Sequence, residues 1–136
     1  MNPIVKNILA VLAGIIVGSI VNGGLIFISS SIIALPEGVN PMDPQSIADN
    51  MHLFENKHFI MPFLAHALGT LVGAFVAAKI AANNKMKFAI AIGCWFLLGG
   101  IYNVVMLPSP MWFNILDLVV AFIPMGYLGG KLAIKK

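Results

Sequence analysis

The sequence predicts an all-α integral membrane protein whose four transmembrane helices form two tandem hairpins, with a short amphipathic helix in the loop of the first hairpin. Hydrophobic residues make up 60% of the 136 residues and charged residues only 10%, a composition outside that of soluble domains. Four apolar runs approach or exceed the roughly 20 residues that cross a bilayer. Nearly all lysines lie at the same end of these runs.

The apolar runs are expected to be helices because a bilayer core has no water to satisfy the polar groups of an open backbone. They predict a single domain over 1–136, with helices at about 8–34, 59–81, 88–107 and 111–133. Pro124 leaves the carbonyl of Val120 without its amide partner and predicts a kink in the fourth helix. The "VNGG" stretch at 21–24 predicts a possible break in the first.

The lysines predict the orientation of the helices. Cytoplasmic loops carry an excess of positive residues, so both termini are expected in the cytoplasm and the chain in a plasma (inner) membrane as a multi-pass protein. The net charge of +3 follows from this arrangement and gives no indication of nucleic-acid binding. The lysines at the cytoplasmic ends are Lys6, Lys79, Lys85, Lys87, Lys131, Lys135 and Lys136.

The loop over residues 35–58 is expected outside the membrane, and it carries four of the five acids. Asp43 before Pro44 is typical of an N-cap followed by proline at the first helical position. Apolar residues recur at helical spacing at positions 47, 51 and 54. This pattern predicts an amphipathic helix over about 44–56 on the outer membrane surface, with Asp49, His52 and Glu55 facing water.

An internal duplication is predicted by two alignments. "KNILAVLAGIIVGSIVN" (6–22) matches "KFAIAIGCWFLLGGIYN" (87–103) at five positions, and "AFVAAKIA" (74–81) resembles "GYLGGKLA" (126–133) in side-chain size and in its lysine. Both halves start at the cytoplasmic side, so the hairpins would form a parallel repeat about an axis along the membrane normal. The alternative is that apolar helices with terminal lysines simply look alike.

Each helix carries a strongly polar residue at about the same depth. At 1.5 Å per residue, His66 lies about 20 Å from Lys79 and Asp117 about 21 Å from Lys131. Asn22 and Asn103 each lie about 24 Å from the lysine that begins their helix. Ionisable groups are costly when they face lipid, so these four side chains are expected to point into the bundle and meet.

This polar layer has three interpretations. The side chains form interhelical hydrogen bonds that fix helix register, they line an outward-open site for a proton, ion or small polar solute, or His66 and Asp117 form a catalytic pair. The third lacks a nucleophile, because Ser29, Ser30 and Ser31 lie well beyond Asn22 along the first helix. An enzyme is therefore the less favoured class, although it stays open.

The functional hypothesis is a binding or transport-type membrane protein with an outward-facing polar site at Asn22, His66, Asn103 and Asp117. Four helices leave little room for a pathway inside one chain, so this hypothesis predicts a homo-oligomer. The alternative is an accessory or structural protein that docks a membrane-protein partner through its outer loop.

The sequence indicates no cofactor except a weak candidate for a divalent metal site in the outer loop. His52, Glu55 and His58 follow one another at intervals of three residues. This spacing differs from the paired histidines of a zinc-protease helix, and solvated loop side chains are the alternative. Cys94 is the single cysteine, so it offers neither an intrachain disulfide nor a cysteine-rich metal site.

Overall fold

A computed structural model describes residues 1–135 and is helical throughout, with no β-strand in that range. It contains four helices or helix pairs that are long and apolar enough to span a membrane. The helices are α1 Pro3–Ile32, α2 Pro44–Asp49, α3 Ile60–Ile80, α4 Lys85–Met106, α5 Met111–Val120 and α6 Ile123–Ile134.

The first helix starts earlier than expected and is continuous. The side chain of Asn2 accepts a hydrogen bond from the backbone N–H of Ile4, and Pro3 occupies the first helical position, where its missing N–H costs nothing. The expected break at "VNGG" is wrong, since α1 continues through Gly23 and Gly24 to Ile32.

The fourth apolar run is interrupted, as Pro124 predicts. α5 ends at Val120 and α6 begins at Ile123, because proline has no N–H to donate to the carbonyl four residues earlier. Hydrogen bonds resume on both sides of the interruption, from Ala121 N to Asp117 O and from Gly126 N to Phe122 O. Ala121 and Phe122 therefore lie outside both helices, between α5 and α6.

The helix predicted over 44–56 is shorter in the structure. Asp43 caps α2 by accepting a bond from the N–H of Gln45, as its sequence predicts. After six helical residues, the chain continues as two 3₁₀ turns, Met51–Leu53 and Asn56–Phe59, the second of which leads directly into α3. Buried Met51 packs with Phe59 and Phe113, so the apolar side of this segment lies on the bundle.

The central helix is α3, which packs against α1, α4 and α6, while α4 also packs against α6. The chain thus forms the two consecutive hairpins expected from sequence. A twofold axis between the hairpins would pair the α3–α4 interface with an equivalent α1–α6 interface, and no comparable α1–α6 interface exists among the described residues. The duplication stays a prediction.

The ends of the bundle differ in charge and packing. We call the end with Lys6, Lys79, Lys85, Lys87, Lys131 and Lys135 the lysine end, and the end covered by residues 35–58 the acidic end. In the half toward the lysine end, glycines bring helices close together. A Cβ added at Gly14 would lie 2.7 Å from the carbonyl oxygen of Gly73, and one added at Gly126 would lie 3.1 Å from the Cα of Gly93.

Candidate functional site

The candidate site is centred on a histidine–aspartate pair between α3 and α5. The Nδ1 atom of His66 lies 2.8 Å from Oδ2 and 3.0 Å from Oδ1 of Asp117. Both side chains are largely buried, with 11% of the His66 side chain and 4% of the Asp117 side chain exposed. The two most polar residues of the predicted layer therefore meet, as the sequence predicts.

This contact determines how the imidazole presents its nitrogens. A carboxylate only accepts hydrogen bonds, so Nδ1 carries the hydrogen and donates it to Asp117. The Nε2 atom has no hydrogen-bond partner within residues 1–135. When His66 is neutral, Nε2 is an acceptor oriented by the carboxylate behind it, an arrangement also found in metal-ligating and general-base histidines.

The helix break at Pro124 helps to position this pair. Phe122 lies in the break, is almost fully buried, and packs with its ring centroid 5.5 Å from that of His66. On its other side the ring approaches Gly100 so closely that a Cβ there would lie 2.5 Å from it. Gly100 thus makes room for Phe122, and Phe122 supports the imidazole.

A cavity of about 310 Å³ opens beside the pair toward the acidic end. Its walls come from the halves of α1, α3, α4 and α5 nearest that end, and from the loop that covers it. All four residues of the predicted polar layer line it. Most of the other lining side chains are apolar, including Ile26, Val104 and Leu107.

The two asparagines of the polar layer do not join the hydrogen-bonded contact between His66 and Asp117. Asn22 is half-buried and Asn103 is exposed, and neither side chain hydrogen-bonds to another group in the described part of the chain. The expectation that all four side chains meet therefore holds only for His66 and Asp117. The amides instead leave both donors and acceptors available at the cavity wall.

The loop over residues 35–58 lines the acidic end of the cavity and packs on the bundle through apolar contacts. Met51, Phe59 and Phe113 form a buried cluster, against which the partly buried side chains of Ile47 and Phe54 pack. On the opposite side of the loop, Asp49, His52 and Glu55 are exposed, as the amphipathic pattern predicts. The loop thus separates an apolar inner surface from a charged outer one.

His58 joins this loop to the end of α1. Its Nδ1 accepts a hydrogen bond from the N–H of Glu55 at 2.8 Å, and its Nε2 donates to the carbonyl of Ala34 at 3.0 Å. Only 8% of the residue is exposed. Sequence reasoning treated His58 as a metal candidate and missed this role, although its position continues the apolar spacing of 47, 51 and 54.

The proposed metal ligands do not come together. His52 and Glu55 are exposed, while both ring nitrogens of His58 bond to the backbone. Across residues 1–135, no three His, Cys, Asp or Glu side chains are grouped to hold a metal ion. The structure gives no support to this weak candidate.

The charges around the cavity are strongly asymmetric. The loop carries Glu37, Asp43, Asp49 and Glu55, all exposed, against the single lysine Lys57. Lys57 itself pairs with Glu55 at 3.4 Å. Together with Asp117 inside, these acids give the acidic end and its cavity a negative potential.

The lining also contains two serines that sequence reasoning did not place there. Ser29 donates its hydroxyl to the carbonyl of Ile26 at 2.7 Å, and the carbonyl of Ser109 accepts from the amide of Asn114. The structure records no hydrogen bond between either serine hydroxyl and His66. The cavity thus has a polar inner end at His66 and Asp117 and a mostly apolar wall elsewhere.

Comparison of the chain with known protein families, curated proteins and solved structures finds no match.

Proposed function

We propose that this chain is a multi-pass protein of a plasma (inner) membrane that binds a small polar solute or ion in an outward-facing cavity, in a transport-type role. The lysine end would face the cytoplasm, by the positive bias of cytoplasmic loops, and the acidic end would face outward. Four helices of spanning length and composition support the membrane location.

The observation that carries this proposal is the His66–Asp117 pair beside a cavity. A carboxylate that is 3% exposed is costly to bury, and interhelical register alone can be fixed by uncharged hydrogen bonds. Ionisable groups at depth commonly mark substrate or ion pathways. An acceptor nitrogen and two asparagine amides facing the same cavity provide the polar contacts that a bound solute requires.

A transport role requires more than one copy of the chain or a large rearrangement. Between the cavity and the lysine end, the described part of the bundle is filled by a buried cluster around Ala74, Ala77 and Ile92. Exposed apolar side chains run along α1, among them Ile8, Leu12 and Ile16. This surface is available to lipid or to a second copy, so we include a homo-oligomer in the proposal.

The test is a ligand screen by thermal stability in detergent. A solute present at 100 times its Kd stabilises a protein by about 2.7 kcal/mol, enough to raise the unfolding temperature measurably. Amino acids, amines, sugars and mono- and divalent cations would be added to wild type, Asp117→Asn and Lys135→Gln. The proposal expects a solute that stabilises wild type and Lys135→Gln but not Asp117→Asn.

Two results would count against this function. Stabilisation by no solute class, or equal stabilisation of wild type and Asp117→Asn by every hit, would leave the pair with a register-fixing role. Native mass spectrometry of the protein in lipid nanodiscs tests the proposed homo-oligomer. A strictly monomeric protein there would contradict the oligomer.

The docking alternative receives less support. The apolar side of the loop, including Met51 and Phe54, packs on the bundle and is not free for a partner. This alternative expects a larger complex to co-purify after mild extraction and to be lost when residues 42–56 are deleted.

A further inference from the structure

We propose that the ligand of this cavity is a small organic cation, an amine with an apolar body. This inference rests on the proposed function, because it takes the cavity to be a binding site. It names the ligand class from three features of the site: its charge, its free hydrogen-bonding atoms and its apolar wall.

The charge of the acidic end favours a cation. Four exposed acids lie on the loop that lines the acidic end of the cavity, where we place the entrance, and the only lysine of this loop, Lys57, is paired with Glu55. All other lysines lie at the far ends of the helices. A cleft lined by one sign of charge raises the local concentration of ions of the opposite sign, so the entrance attracts cations and repels anions.

The hydrogen-bonding atoms at the inner end favour a donor. The Nδ1–H of His66 is held by Asp117, which leaves Nε2 of the neutral ring as an acceptor. The side-chain oxygens of Asn22 on α1 and Asn103 on α4 are two further acceptors among the residues that line the cavity. A primary ammonium has three N–H donors and no acceptor, which matches these three atoms.

The net charge at this inner end also suits an ammonium. When His66 is neutral, Asp117 carries the only formal charge among the cavity-lining residues. The imidazole contacts the carboxylate through Nδ1 and offers Nε2 on its other side. A cation bonded to Nε2 would therefore complete a chain of carboxylate, imidazole and cation. Such chains of hydrogen bonds strengthen one another in surroundings of low dielectric.

The wall toward the entrance suits the apolar body of the ligand. Phe54, Phe59 and Phe113 line this part of the cavity, and aromatic rings attract cations through their faces as well as packing on apolar groups. The volume of about 310 Å³ lies at the lower end of the range for ligand cavities, about 300–1,000 Å³. A single-ring amine is therefore the appropriate size class.

Three probes of nearly equal shape separate charge from shape: phenethylamine, phenethyl alcohol and phenylacetate. Each would be titrated calorimetrically into the full chain in detergent, with protein-free micelles subtracted. We expect the amine to bind about tenfold more tightly than the alcohol, and phenylacetate to bind most weakly. The preference for the amine should shrink at high salt, because salt screens the charges at the entrance.

Variants then assign the preference to particular charges. Asp117→Asn keeps an oxygen acceptor for His66 and removes the charge, so it should weaken amine binding about tenfold and change alcohol binding little. Because Asp117 is buried in the bundle, the exposed pair Glu37→Gln/Asp49→Asn provides a second test that leaves the packing unchanged. It should reduce amine affinity at low salt.

A matched pair of lysine variants controls for net charge. Lys57→Gln and Lys135→Gln remove the same charge from opposite ends of the molecule. At an ionic strength of about 0.1 M, we expect Lys57→Gln to strengthen amine binding about two- to threefold and Lys135→Gln to leave it unchanged, since exposed charges farther apart than the Debye length at that ionic strength, about 10 Å, are largely screened.

The outcomes distinguish this inference from the proposed function beneath it. Equal affinity for the amine and the alcohol, or tighter binding of phenylacetate, overturns the cation assignment and leaves the cavity as a binding site. Absence of binding for all three probes overturns the cation assignment. The thermal-stability screen with other solutes then decides the proposed function.

Discussion

The pair formed by His66 and Asp117 should be strongly coupled in stability, which a double-mutant cycle can measure. The cycle compares wild type with His66→Ala, Asp117→Ala and the double variant. Each single change removes one partner of a buried contact whose heavy atoms lie 2.8 Å apart. The double variant removes both partners and leaves neither group unsatisfied.

The expected energies follow from what each variant leaves behind. His66→Ala leaves a carboxylate that is 3% exposed without its only recorded partner, and leaving a buried acceptor unsatisfied costs about 1–3 kcal/mol, with more for a charged group. Water that enters from the cavity would solvate the carboxylate, so we expect the cost of His66→Ala to lie at the lower end of this range. Asp117→Ala leaves an unpaired N–H on His66, at about 1–3 kcal/mol.

The coupling energy should be at least about 1.5 kcal/mol, because the contact is charge-assisted and shielded from water. Uncharged interhelical hydrogen bonds in membrane proteins average only about 0.6 kcal/mol in such cycles. A large value would therefore separate this pair from ordinary register-fixing contacts.

The assay is reversible unfolding by SDS in mixed micelles, followed by tryptophan fluorescence from Trp95 and Trp112. Asn103→Ala is the control, because its side chain is exposed and makes no recorded hydrogen bond, so it should change stability by no more than about 0.5 kcal/mol. A coupling below about 0.5 kcal/mol between His66 and Asp117 would refute the reasoning.

Three further predictions test the surrounding structure. Gly14→Ala should destabilise the fold by up to about 2 kcal/mol, since overpacking outweighs the gain in helix propensity. Gly23→Ala should not, because a Cβ added at Gly23 would have no atom within 4 Å. SDS unfolding compares the two variants, and equal effects would contradict the close packing of α1 on α3. His58→Ala should accelerate amide exchange across residues 35–58, while exposed His52→Ala should not, and unchanged exchange would exclude His58 as the attachment of the loop. Lys85→Met should cost about 1 kcal/mol, because the ammonium caps α3 through the carbonyls of Ala78 and Ala81. Exposed Lys87→Met is its control, and an equal loss in both would rule out capping.

The helices could be predicted from sequence because their signals are long and repeated. Apolar runs of spanning length set the helix positions to within a few residues, except at the start of α1. That boundary depends on Asn2 and Pro3, a local capping signal that lies outside the apolar run. The break at Pro124 was predictable from backbone chemistry, whereas "VNGG" was misleading, since glycine permits a break without requiring one.

The site could be predicted only in part. Depth along each helix placed His66 and Asp117 at one level, and the high cost of exposing them to lipid indicated that they would meet. Depth says nothing about rotation around the helix axis, and for that reason the sequence did not show that Asn103 lies exposed at the cavity wall. The apolar spacing 47, 51, 54, 58 predicts that His58 is buried. The interpretation of His58 as a metal ligand left it out of that pattern.

The cavity itself follows from an unequal distribution of small residues along the helices. Between the lysine end and the level of Asn22, glycines on α1 and α3 face each other, and a Cβ at Gly69 would lie 2.8 Å from the Cβ of Asn22. Beyond that level, the same face of α1 continues through Ile26, Ser29 and Ile33, and these residues line the cavity instead of packing closely on α3. The polar layer therefore lies where close packing ends. Under the proposed function, a ligand entering from the acidic end would stop at His66, and passage toward the lysine end would require close helix contacts such as that of Gly14 with Gly73 to open.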